Sequence, residues 1–159
     1  MVISMGNCNA SKATKITPII ENGVKKIGAY RFGSCQTLKS VIIPEGVTQI
    51  DEFAFQGCIN LKSVVLPSSL EKIGTGAFFG CENLFKINIP GNLNEIGMLA
   101  FSGCSSLRKM VLSAKVHVGN YAFTGCSNLE LLKERPSKKN RFISPLVSNI
   151  KQQDLGKEG

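Results

Sequence analysis

Five cysteines, Cys35, Cys58, Cys81, Cys104 and Cys126, recur at separations of 23, 23, 23 and 22 residues. Each closes the same phrase. Ile50-Asp51-Glu52-Phe53-Ala54-Phe55-Gln56-Gly57-Cys58 is followed by Ile73-Gly74-Thr75-Gly76-Ala77-Phe78-Phe79-Gly80-Cys81. Ile96-Gly97-Met98-Leu99-Ala100-Phe101-Ser102-Gly103-Cys104 repeats it again. A fixed period of this length means one supersecondary unit stacked several times, which is a solenoid. The architecture is tightly constrained. The function is less so, because a stack of this kind is a platform whose partner the period does not name.

Alignment on Cys yields apolar columns. They are Phe32, Phe55, Phe78, Phe101 and Phe123; Leu38, Leu61, Leu84, Leu107 and Leu129; and Val41, Val64, Ile87, Met110 and Leu132. Then come Ile43, Leu66, Ile89 and Leu112; Val47, Leu70, Leu93 and Val116; and Ile50, Ile73, Ile96 and Val118. A proline column, Pro44, Pro67 and Pro90, is broken by Ser113. No single turn can cover its own apolar side, so stacking is obligatory.

Ser40-Val41-Ile42-Ile43 has strand composition and is ended by Pro44. Val41 and Ile43 face inward; Ser40 and Ile42 face out. A second extended piece runs from Val47 to Ile50, and Phe53 to Leu61 arcs back as a turn or half-helix. Gly57, Gly80, Gly103 and Gly125 precede the cysteines, a pattern that fits a positive φ or a close backbone approach. Arg31 stands where later turns carry Ala54, Ala77, Ala100 and Ala122. The fifth turn is one residue short between Ser113 and Val118 and holds the chain's single histidine, His117. The expected organisation is a flexible leader over 1–18, a solenoid of about five turns over 19–132, and a basic tail over 133–159, partly capping and partly disordered.

The phrase Cys58-Ile59-Asn60-Leu61-Lys62-Ser63-Val64-Val65-Leu66-Pro67, joined to Ile73 through Cys81, resembles the leucine-rich repeats of the BspA type. The resemblance covers residues 19–132. It implies a right-handed, β-rich parallel solenoid. It also implies a cell-surface or secreted protein engaged in adhesion or host interaction.

Chemistry finds few footholds. The thiols lie along a line, and no Cys-x-x-Cys pair gathers ligands for a metal. In-register Cβ vectors run parallel rather than converging as a disulfide requires. The repeat cysteines are therefore expected to be buried and reduced, with Cys8, out of register, free. His117 has no orienting third group beside a thiol, and no phosphate loop is present. No catalytic residue, metal or cofactor is expected.

The net charge is +8. Residues 1–132 hold 12 basic and 8 acidic side chains, whereas 133–159 hold 7 and 3. A concentrated basic tail attracts polyanions without specificity, so no specific nucleic-acid partner follows. Contact with a membrane would come only through that tail or through a lipid on Gly6, were translation to start at Met5. No signal peptide is visible in Met1 to Lys15, which makes a cytoplasmic location the alternative.

The outward strand positions form the candidate protein-binding surface: Ser40, Ser63, Lys86 and Lys109 in one column, Ile42, Val65, Asn88 and Val111 in the next. Apolar side chains aimed at solvent mark contact sites or simply suit a ladder. The leading expectation is a non-enzymatic module that binds a protein partner. Its rival is an intracellular scaffold with the tail as a loose electrostatic anchor.

Overall fold

The structure, a computed structural model, describes residues 20–134 and 143–145. The 1–18 leader, Cys8 and most of the 133–159 tail lie outside them. Each turn contributes two short strands and an arc. One series is β1 (Lys26–Ile27), β3 (Gln49–Ile50), β5 (Lys72–Ile73), β7 (Glu95–Ile96) and β9 (His117–Val118). The other is β2 (Ser40–Ile42), β4 (Ser63–Val65), β6 (Lys86–Ile87), β8 (Lys109–Ser113) and β10 (Glu130–Glu134). A last strand, β11 (Ile143–Pro145), follows.

Successive turns pair in parallel and in register: Ser40 on Ser63 on Lys86, and Ile27 on Ile50 on Ile73 on Ile96 on Val118. This is a parallel β-solenoid of about five turns. The two series behave differently. β1-β3-β5-β7-β9 is one continuous sheet, whereas the other divides into β2-β4-β6 and β8-β10-β11. Strand β11 departs from the parallel rule, pairing antiparallel with β10.

The arc closes its backbone accounts by alternation. Phe53, Phe55 and Gly57 donate N–H to Thr75, Ala77 and Phe79 of the next turn, at 2.8, 2.8 and 2.7 Å. Between them, Ala54, Gln56 and Cys58 donate back within their own turn. In the strands the direction reverses, as when Lys62 donates to Lys39 and Gly74 to Ile50 of the turn before. The arc is a run of turns with no helix. Two left-handed positions bracket it. Gly57, Gly80, Gly103 and Gly125 have φ between 67° and 78°, as their place before Cys implies. The other column is Tyr30, Phe53, Gly76, Leu99 and Tyr121, with φ from 53° to 59°, four of them not glycine. Sequence reading gave no sign of it.

Inside, the phenylalanine column is a stack. Rings from Phe32 to Phe123 follow one another at 5.0 to 5.6 Å between centroids, within 13° of parallel. Ala54, Ala77, Ala100 and Ala122 are buried beside it. In the first turn Arg31 places its guanidinium 5.7 Å from the Phe32 ring centroid. Gly74, Gly97 and Gly119, which follow β5, β7 and β9, have a different duty. A Cβ on Gly97 would stand 2.6 Å from Thr75 N and 2.7 Å from Gly74 C, so the turns approach backbone to backbone.

The cysteine ladder repays a polar debt. Cys58, Cys81, Cys104 and Cys126 donate to the carbonyls of Phe32, Phe55, Phe78 and Phe101 in the preceding turn, at 3.0 to 3.2 Å. Those four thiols are free and buried. Burial pushes the Cys126 thiol up to about 12 and raises Cys104 further. Cys81 is raised by the neighbouring Cys58 thiol and by burial. Cys35 corrects the expectation that every repeat cysteine is reduced: it is disulfide-bonded. The physical difference is position. Cys35 opens the described ladder, while the others sit between turns whose carbonyls their thiols bond.

The fifth turn corrects one column. Leu131, not Leu132, stands opposite Met110, because Lys109 pairs with Glu130. The fifth turn is already one residue short at the cysteines, and the pairing of β8 with β10 drops one more, so Arg108 becomes the surplus residue of the fourth. Leu132 falls opposite Val111 on the outward column and is nevertheless buried.

Candidate functional site

The outward positions of β2, β4, β6 and β8 face away from the core because the pleat alternates. Ser40, Lys86 and Lys109 are exposed and Ser63 half-buried. Ile42 is 59% exposed and Val65 49%, large values for β-branched side chains; Val111 is half-buried. Ser40, Ser63 and Lys86 lie in one ladder, as do Ile42 and Val65. Lys109 and Val111 belong to the second sheet, across the interruption between β6 and β8.

Asn88 sits at that interruption and is already occupied. Its Nδ2 donates to Leu66 O at 2.9 Å, and its Oδ1 accepts from Leu66 N at 2.8 Å. The side chain stands in for a strand residue, holding β6 to β4 where the ladder ends. It is a clamp on the face rather than a free contact.

A third column was missed by sequence reading. Lys39, Lys62, Phe85 and Arg108 each follow the repeat leucine, and all are exposed, Phe85 by 47%. The signal was available, since three of the four residues at this motif position are basic. The reading began the outward face one residue later. With Asn83, Ser106, Asn128 and Glu130, the residues Lys62, Phe85 and Arg108 line an open cleft of about 920 Å³. Its asparagines are fixed. Asn83 Nδ2 donates to Ile59 O at 2.7 Å and Asn128 Nδ2 to Ser105 O at 2.8 Å, in the same manner as Asn60 to Gln36 O. None of Lys39, Lys62, Lys86, Arg108 or Lys109 forms an ion pair among the described residues.

The opposite series carries two ion pairs. Lys26 meets Asp51 at 3.1 Å, and Lys72 meets Glu95 at 3.1 Å. His117 lies in register with Glu95 at the end of this sheet, and the buried thiols bond backbone carbonyls instead. Among the described residues no group of histidine, cysteine and carboxylate side chains could hold a metal ion.

The BspA type Leucine rich repeat region matches residues 4–130, in six copies. The chain belongs to this family. Among solved structures it is similar to a leucine-rich repeat protein from Bacteroides ovatus, with 33% identity and a TM-score of 0.67, over 74% of this chain and 30% of that one. It is also similar to the T. pallidum leucine-rich repeat protein TpLRR, with 35% identity and a TM-score of 0.67, over 70% of this chain and 54% of that one. The leucine-rich repeat chain thus spans about a third to a half of the length of these relatives. No curated protein matches it.

Proposed function

We propose that this leucine-rich repeat chain is a non-enzymatic protein-binding module, used in adhesion or host interaction at a cell surface or in a secreted protein. The observation that carries this is the strand face. Exposed Ile42, Val65 and Phe85 stand there beside cations that form no ion pair among the described residues. A sheet locked by hydrogen bonds and by a stacked core loses little freedom on binding. The disulfide at Cys35 supports an oxidising compartment over the cytoplasm.

The test compares binding of the labelled chain to host cells and matrix proteins with that of two variants. One is Lys86→Glu with Lys109→Glu; the other ends after Glu134. Loss in the first alone supports the face. Loss only in the truncation, with steep salt dependence, moves the function to the basic tail and favours the scaffold reading.

A further inference from the structure

Lys62, Phe85 and Arg108 occupy one column on three successive turns, so an exposed aromatic ring stands between two cations. Lys86 and Lys109 flank the column one residue further along. Glu130 lines the far end of the same cleft and ends the positive run. The column lies beside the interruption between β6 and β8, where the sheet stops being a flat ladder.

We infer that this cleft binds an acidic, extended protein segment, with carboxylates on Lys62 and Arg108 and an apolar side chain seated on Phe85. The inference rests on the strand face being the binding surface and narrows it to one partner chemistry. Charge complementarity selects the acid: the cations have no partners among the described residues, and a carboxylate takes the Arg108 fork in bidentate fashion. Exposed Phe85, with exposed Val65 and Ile42 further along the same strand face, selects a segment that carries apolar side chains between its acids. From Lys39 to Arg108 the column crosses three intervals between turns, or about 14 Å, the length of about four extended residues. Nucleic acid fits less well. Single strands are held by aromatic platforms under successive bases, and the lining of this cleft offers one ring among polar and charged side chains.

The experiment uses the full chain and a fluorescent peptide in which Glu alternates with Phe. The controls are the same peptide with Gln for Glu, and a single-stranded oligonucleotide of equal charge. Anisotropy should show the Glu peptide binding, weakening with salt, and the Gln peptide lost. Arg108→Gln and Phe85→Ala should each weaken binding at least about tenfold, on the scale of a charge-assisted bond or a buried aromatic anchor. Lys115→Gln, on an exposed loop, should change nothing. Equal binding of the Gln peptide, tighter binding of the oligonucleotide, or indifference to Phe85→Ala would each overturn the proposal. Its failure is separable from failure of the face. Ile42→Asp with Val65→Asp should still abolish cell binding if the face is right and only the partner chemistry is wrong.

Discussion

The two strand series are built from the same turns and on the same core, yet they present opposite surfaces. The β1–β9 sheet is continuous, and the charged Lys26, Lys72 and Glu95 of its strands are held in two ion pairs, Lys26 with Asp51 and Lys72 with Glu95. The β2–β10 side is interrupted, carries exposed Ile42, Val65 and Phe85, and leaves its cations without an ion pair among the described residues. Period alone cannot produce that difference, since both series obey the same period. Outward residues produce it, and outward residues are where a stack is free to vary without losing its fold.

The comparison breaks first if the core is not shared. Phe78 is fully buried and stacked on Phe55 and Phe101 at 5.2 and 5.3 Å. Phe78→Ala should cost about 3–5 kcal/mol through lost burial and the cavity left in mid-stack. Denaturant titration should show a single transition moved to lower midpoint, with both faces lost together. Two separated transitions would mean that the two sides fold as independent units.

The thiol ladder belongs to neither face and provides the next measure. Burial holds Cys126 at about 12, against an ordinary value of 9.0. In the unfolded chain the thiol ionises from about pH 9, so above that pH the unfolded state binds fewer protons than the folded one. The stability it contributes is complete below pH 9 and falls as pH rises toward 12, by up to about 1.4 kcal/mol per pH unit for each such thiol. Melting measured from pH 7 to 11 should show this fall, less steep in Cys126→Ala. Alkylation of Cys58, Cys81, Cys104 and Cys126 should follow global unfolding, and rapid native-state labelling would contradict their burial.

Sequence reading reached the stack, its columns and the left-handed glycines because each depends on a residue type repeated at a fixed place. It missed what depends on one turn meeting the next. The clamp by Asn88 looks like any exposed polar residue until Leu66 is placed beside it. The left-handed column at Tyr30, Phe53, Leu99 and Tyr121 has no common chemistry, because the hydrogen bonds to the following turn impose the conformation. The disulfide at Cys35 and the shift that brings Leu131 opposite Met110 lie in the first and last of the described turns and depend on neighbours that a fixed period does not specify.

Asn88 offers a smaller and sharper test of the interrupted side. Its two bonds to Leu66 hold the edge of β6 where backbone pairing stops. Asn88→Ala should cost about 1–2 kcal/mol, the price of leaving a part-buried N–H and C=O without partners. Amide hydrogen exchange should rise at Leu66 and along β6, while β5 and β7 stay protected. Faster exchange on both series would mean that the clamp supports the whole turn rather than one face.

The smallest effect distinguishes the two surfaces most directly. Lys72 and Glu95 are each 42% exposed, so solvent screens their 3.1 Å contact. A double-mutant cycle with Lys72→Met and Glu95→Gln should return a coupling of only about 0.2–1 kcal/mol, fading with salt. The corresponding cations on the other side, Lys86 and Lys109, form no ion pair among the described residues, and Lys86→Met with Lys109→Met should leave stability unchanged or slightly raised by relief of like-charge repulsion. The contrast in sign matters more than its size. A pair that stabilises the fold is accounted for by the fold, whereas cations that gain nothing from it remain available to a partner. If Lys86→Met with Lys109→Met destabilised the solenoid as much as breaking the Lys72–Glu95 pair, the strand-face cations would be structural, and the asymmetry between the two sides would lose its functional meaning.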